Sequence, residues 1–311
     1  MLESVSKNFF HLLARNRTLQ HLASRIGLRK PTSFGRRFIA GETLQDAIEA
    51  AHAVQRSGRL LTLDHLGENV TNLDEAEAST RNYLEIVETM IREGIDRNIS
   101  LKLTSLGLDV DRAIAVDNLR KILERAEPAG FFVRLDMESS QYTEITIEIF
   151  EMLWRYGHRG FGVVLQAALR RSEQDLRRIN TLGGRVRLVK GAYTEPRSIA
   201  YQKKADVDAA YARLMKALLA SGHYPAIATH DDAMIALARQ WAADHGVTPD
   251  RFEFQMLYGV RRDLQSRLVA DGYRIRVYIP FGRQWFPYFM RRLGERPANI
   301  GFVIRSLLRE Q

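Results

Sequence analysis

Apolar and polar positions follow one pattern along this chain, and the pattern recurs eight times. A short run rich in β-branched residues ends in a charged or polar residue, and a stretch of helical period follows. The runs are Arg59–His65, Ile99–Thr104, Phe131–Glu138, Gly160–Gln166, Val186–Tyr193, Tyr224–Asp231, Phe252–Tyr258 and Ile275–Phe281. The stretches between them predict helices over about Leu73–Gly94, Asp111–Glu127, Thr143–Gly157, Ser172–Leu182, Ser198–Ser221, Asp232–His245 and Arg261–Ala270, with a last helix over about Trp285–Leu293. A further helix, opened by Thr43 and closed near Gly58, precedes the first run. Eight consecutive strand–helix units predict an α/β fold, a closed parallel (βα)8 barrel whose strand carboxyl ends gather on one face.

No linker or low-complexity tract interrupts the units, so residues 59–311 read as one barrel domain. Residues 1–58 read as a helical lead-in packed on it. The first part of that lead-in is basic: no acidic residue lies between Glu3 and Glu42, whereas Lys7, Arg15, Arg17, Arg25, Arg29, Lys30, Arg36 and Arg37 all do. Phe9, Phe10, Leu12, Leu13, Leu19, Leu22 and Ile26 can share helical faces there, which suits one or two amphipathic helices or a contact with a membrane surface. Charges interrupt every candidate apolar core, so the segment is not a secretory signal.

The net charge is +9 (46 basic minus 37 acidic residues), which calls for an anionic partner. Several of the basic residues stand at strand ends, where a nucleic-acid-binding stripe has no access, so a nucleic acid is not expected. Cysteine is absent, which excludes a thiol nucleophile, a thiolate metal site and a disulfide framework. The chain also lacks a Gly-rich dinucleotide fingerprint, a phosphate-binding G-x-x-x-x-G-K-[ST] loop, an H-E-x-x-H pair and any His/carboxylate cluster at metal-ligand spacing. A redox role would therefore need an organic cofactor, with no metal.

The fifth run carries charge inside an apolar strand. In Val186-Arg187-Leu188-Val189-Lys190, Arg187 and Val189 face one way and Leu188 and Lys190 the other, so a basic residue meets the lumen whichever face is inward. An unpaired buried charge costs several kcal/mol, and Asp136 and Glu138 of the third run are candidate partners.

The strand ends include Leu101-Lys102-Leu103-Thr104, Arg134-Leu135-Asp136-Met137-Glu138, Val164-Leu165-Gln166 and Ala228-Thr229-His230-Asp231. More specific in combination are RLVKGAY (187–193), FQMLYG (254–259), and YIPFG (278–282) followed by YFMRRLGERPAN (288–299). From about Leu60 to the carboxyl end, this series resembles the proline dehydrogenases, flavoenzymes on a distorted (βα)8 TIM-type barrel whose last helix lies over the carboxyl face.

The resemblance implies oxidation of L-proline to Δ1-pyrroline-5-carboxylate with noncovalent FAD, and transfer of electrons to a membrane quinone. It assigns Arg291 and Arg292 to the proline carboxylate, where paired guanidinium groups make charge-assisted bonds. Glu295, at i, i+3 from Arg292, holds that pair and counts among the cofactor-site positions. Lys102 and Asp136 are the charged pair beside the substrate nitrogen, while Tyr193, Leu257, Tyr278 and Tyr288 wall in the ring. Arg187 lies near the reactive flavin nitrogen, and Met137, Gln166, Lys190, Gly191, Ala192, Thr229, His230 and Gln255 contact the cofactor. Asp136 and Arg187 thus carry the catalytic expectation.

Two departures stand out. Thr194-Glu195-Pro196 follows KGAY where longer bifunctional relatives carry Trp, as in short single-function members, and Asp231 stands where Asn is frequent. A separate pyrroline-5-carboxylate dehydrogenase would take the second step. A cytoplasmic location, peripheral on the inner face of an anionic membrane, is expected. A rival reading makes Lys102 or Lys190 the Schiff-base nucleophile of an aldolase-type barrel. Flavin-dependent oxidation of hydroxyproline is a closer alternative.

Overall fold

The computed structural model describes residues 34–295, with side chains from Gly35 to Met290. The amphipathic helices expected in the first 33 residues lie outside the described residues, as do the side chains of Arg291, Arg292 and Glu295.

The eight apolar runs become β1 (Leu60–His65), β2 (Asn98–Leu101), β3 (Phe132–Leu135), β4 (Phe161–Gln166), β5 (Arg185–Val189), β6 (Ala226–Ala228), β7 (Glu253–Leu257) and β8 (Ile275–Phe281). Each strand pairs in parallel with the next, and β8 closes on β1 through Leu60↔Arg276 to His65↔Phe281. Several strands stop short of the sequence run that predicts them. β2 ends at Leu101 and β3 at Leu135, leaving Lys102, Asp136 and Glu138 on the loops of the carboxyl rim.

The helices are α1 (Leu44–Arg56), α2 (Leu73–Arg92), α3 (Arg112–Ala126), α4 (Thr143–Arg155), α5 (Ser172–Leu182), α6 (Lys204–Ser221), α7 (Asp232–Asp244), α8 (Arg262–Ala270) and α9 (Trp285–Glu295). Their starts follow from local chemistry. Thr43 and Asp46 form a reciprocal capping box on α1, and the side chains of Asn72, Asp111 and Asp231 accept backbone N–H groups at the starts of α2, α3 and α7. The helix expected from Ser198 begins only at Lys204. The intervening backbone is drawn onto the loop after β4 instead: Arg170 N–H donates to the Ile199 carbonyl at 3.0 Å, and Tyr201 N–H to the Ala168 carbonyl at 2.8 Å.

The apolar core lies between strands and helices. Leu61, Leu63, Ile99, Leu101, Val133, Phe161, Val163, Leu188 and Ile279 are fully buried there, packed against α1 to α8 residues such as Ala47, Met90, Leu119, Phe150 and Leu214. Burying each such large side chain contributes about 1.5–3 kcal/mol.

The lumen is different. Asp64, Ser100, Arg134, Arg187, Glu253, Gln255 and Arg276 are all buried, and Arg187 of β5 reaches across the interior to Ser100 of β2 and Gln255 of β7, strands that are not its neighbours. Branched aliphatic layers usually fill such a barrel. Here a hydrogen-bonded ion network takes their place.

The last helix, α9, covers the rim between β8 and β1. Trp285, Phe286, Tyr288 and Phe289 pack with Ile39 and Leu66, and the Trp285 indole N–H donates to Glu42 at 3.2 Å. Ala40 N–H donates to the Pro280 carbonyl and Gly282 N–H to the Gly41 carbonyl, each at 2.9 Å, which ties the lead-in before α1 to the end of β8.

Candidate active site

The carboxyl rim is organised around Arg187, on the inward face of β5. Its Nε donates to Gln255 Oε1 at 2.5 Å, one Nη to Asp136 Oδ1 at 2.6 Å and the other to Ser100 Oγ at 3.0 Å. Five N–H donors meet three described acceptors, so two remain for a ligand. Tyr278 on β8 donates its hydroxyl to Asp136 Oδ2 at 2.9 Å, and its ring lies under the Arg187 guanidinium at 5.4 Å. Burial, reinforced by the Asp136 charge, pushes the Tyr278 hydroxyl pKa well up, so it stays a donor at any physiological pH.

Below Arg187 the network continues to the barrel floor. Gln255 donates to Glu253 at 2.5 Å, and Arg276 bridges Glu253 at 2.8 Å and Asp96 at 2.6 Å. Glu253 is buried, which alone would raise its pKa, but the Arg276 guanidinium outweighs burial and holds it below the usual range. The anionic partner expected for the strand-five arginine is therefore present, and it is Asp136.

Lys102 stands on the rim just after β2, yet its ion-pair partner is Asp64 of β1, at 3.5 Å, rather than Asp136. Asp136 is already engaged by Arg187 and Tyr278, and β1 is the neighbour that the stagger brings beneath Lys102. Burial works against the lysine charge, but Asp64 and then Asp136 outweigh it and raise the ammonium pKa above its ordinary value. Asp64 was not singled out in the sequence; the available signal was a carboxylate two positions from Thr62 on the inward face of an apolar strand.

The positions expected to contact a cofactor lie at the carboxyl ends of β3 to β7. Gln166 Nε2 donates to the Glu138 carbonyl at 2.9 Å. Glu138 accepts Thr104 Oγ1 at 2.6 Å and Thr104 N–H at 3.2 Å, while burial pushes its pKa up to about 7. Gly191 has φ +114°, and a side chain there would press on Ala168 at 3.1 Å and Gln166 at 3.4 Å, so only glycine suits this turn. Gly191, Ala192 and Ala168 make a strip of small residues beside Gln166. Met137 and Thr229 are buried, and Tyr193 and Leu257 half-buried. His230 Nε2 accepts Leu257 N–H at 2.9 Å, which places the proton of the neutral ring on Nδ1.

Lys190 leaves the lumen. Its ammonium lies between Asp208 Oδ1 at 2.5 Å and Asp231 Oδ2 at 2.7 Å, so its charge is met by carboxylates of the chain. Asp208 was another residue that the sequence did not mark. Among the described residues no group of His, Asp and Glu is suited to hold a metal ion.

A cleft of about 790 Å³ opens at the other end of the barrel, lined by Arg185, His223, Tyr224 and Arg251 among others. It lies where α6 and α7 end. The exposed carbonyls there favour cations, which accounts for its basic lining without a ligand. Chemistry in this architecture belongs to the opposite, carboxyl face.

The family model described as proline dehydrogenase matches residues 47–305. Proline dehydrogenase 2 of Bacillus subtilis (strain 168) is 39% identical over 306 residues, spanning 98% of this chain and all of that protein. The proline dehydrogenase of Deinococcus radiodurans is 40% identical over 285 residues, 90% of this chain and 92% of that one. Among solved structures, proline utilization A from Bdellovibrio bacteriovorus, inactivated by N-propargylglycine, superposes with a TM-score of 0.78 at 29% identity. That match covers 83% of this chain and 32% of the longer protein.

Proposed function

The chain belongs to the proline dehydrogenase family, and from that membership and the rim geometry we propose that it oxidises L-proline to Δ1-pyrroline-5-carboxylate with noncovalently bound FAD and passes the electrons to a membrane quinone. The observation that carries the reading is the Tyr278–Asp136–Arg187 bridge across the rim, which joins the side assigned to the substrate with the side assigned to the cofactor.

The residues present fit a flavin. Arg187 keeps two N–H donors for ring acceptors, and the strip of Gly191, Ala192 and Ala168 allows close backbone approach beside Gln166. Met137, Thr229, His230, Gln255 and Lys190 would complete the holding set, with Glu295 beside it. FAD, when bound, supplies the acceptor for a hydride from the ring carbon next to nitrogen.

The remaining work belongs to the chain. Arg291 and Arg292 grip the proline carboxylate, with Lys102 as a further cation facing it. Asp136 and Lys102 set the field at the ring nitrogen, where only the neutral amine has a lone pair to assist hydride departure. Tyr193, Leu257, Tyr278 and Tyr288 enclose the ring and exclude water. A separate pyrroline-5-carboxylate dehydrogenase would consume the product. No helix among the described residues is long and apolar enough to cross a membrane. Access to the quinone is proposed to come from peripheral contact of the basic lead-in with anionic lipid, from the cytoplasmic side.

The Schiff-base alternative needs a neutral amine. Asp64 and Asp136 hold Lys102 charged, and Lys190 is clamped by Asp208 and Asp231, so neither is poised as a nucleophile. Anaerobic titration with L-proline tests the reading: yellow protein should bleach and then reduce an added quinone analogue. Protein that takes up no FAD, or stays yellow with proline, would overturn it.

A further inference from the structure

We propose that Asp64 is a positioning residue for substrate binding: it is the fixed counter-ion that keeps Lys102 charged and aimed at the mouth of the barrel. The inference deepens the proline dehydrogenase reading and rests on it. Asp64 is 0% exposed on the inward face of β1, and neither of its carboxylate oxygens has a hydrogen-bond partner among the described residues. Among the described residues its ion pair is with Lys102 Nζ, at 3.5 Å. Burial raises the Asp64 pKa and the Lys102 charge is the main influence opposing that rise, so the carboxylate and the ammonium hold each other's charge.

The arrangement divides two roles that share one rim. Asp136 has both oxygens filled, by Arg187 and by Tyr278. Asp64 lies beneath Lys102 with no exposed surface, so it meets the substrate through the residues above it, Lys102 first. The ammonium has three donors and its contact with Asp64 is long, at 3.5 Å, which leaves donors available to an incoming carboxylate. The other groups whose charge is felt around this pair are His65 at the end of β1, Glu68 beyond it, Tyr83 on α2, Asp136 and Glu138 after β3, and Tyr278 on β8.

In Asp64→Asn the lysine loses its nearest anion while staying buried, so it should release its proton more easily. Glyoxylate with borohydride, mapped by mass spectrometry, reads the neutral amine directly. Wild type should resist modification at Lys102 at pH 8, and Asp64→Asn should be modified there at least 10-fold faster. The proline KM of the variant should rise between pH 7 and 9 with a smaller change in kcat. Equal trapping rates and a parallel KM profile would overturn the proposal. Lys102→Met with and without Asp64→Asn guards against a folding defect. Lys102→Met alone should melt lower than the double variant, because it strands a buried carboxylate. A double variant no more stable than Lys102→Met would equally overturn it. Trapping and melting need no turnover, so they stand apart from failure of the enzymatic reading.

Discussion

Arg187 and Asp136 face each other across the barrel lumen at 2.6 Å, one from the middle of β5 and the other from the first position beyond β3. The two strands are not neighbours, so the pair spans the interior instead of running along the sheet. Both side chains are largely buried, at 6% and 13% exposure. Asp136→Ala would leave the guanidinium with only Gln255 and Ser100, both neutral. Breaking a buried pair in this way costs about 3–5 kcal/mol. A urea melt of the apoprotein should show that loss, and an unchanged midpoint would mean that solvent already compensates the charge.

Arg187→Ala tests the cofactor side of the same pair. Two guanidinium N–H groups remain after Gln255, Asp136 and Ser100 are served, and a positive charge there favours a reduced, anionic flavin. The variant should bind FAD less tightly or show a lower flavin midpoint potential, measured by dye-coupled reductive titration. If both quantities match wild type, Arg187 belongs to the structural network alone.

How far the sequence reached can be judged on these residues. The eight strands were legible because β-branched runs recur between helical stretches, and because polar residues collect where the runs end. The strand-five arginine was recognisable as a buried cation in need of an anion. Asp136 was one of its two candidate partners, and what could not be read was the anion beneath Lys102. Pairing across a closed barrel depends on the stagger between strands, and that brings Asp64 beneath Lys102 and sends Asp136 to Arg187. The start of α6 was missed for a related reason. Helical period continues through residues 198–203, but hydrogen bonds to the loop after β4 take that backbone.

Arg291→Met and Arg292→Met address the proposed carboxylate grip. Methionine keeps the bulk of the side chain and removes the bidentate donor. Loss of such a charged hydrogen bond is worth about 1.5–3 kcal/mol, or roughly 10- to 150-fold in KM, with flavin still bound. Steady-state kinetics on protein of matched flavin content would decide it. Normal KM in both variants would move the anchor to Lys102 or elsewhere.

Glu138 carries a pH dependence whose sign can be worked out. Burial lifts its pKa from 4.5 to about 7, partly offset by the hydrogen bonds from Thr104. Below pH 4.5 the folded and unfolded chains both hold the proton, and the group has no effect on stability. Between pH 4.5 and 7 the unfolded chain has released its proton while the folded chain retains it. The folded state then binds more protons, so the free energy of unfolding falls as pH rises, levelling off above about 7. The full loss is at most about 3 kcal/mol. Glu138→Gln preserves an acceptor for Thr104 N–H and removes the titration. Denaturant midpoints of wild type and variant should therefore diverge from pH 5 to pH 8 in favour of the variant. Parallel curves over that interval would show that Glu138 ionises at its ordinary value and that its surroundings are wetter than its burial implies.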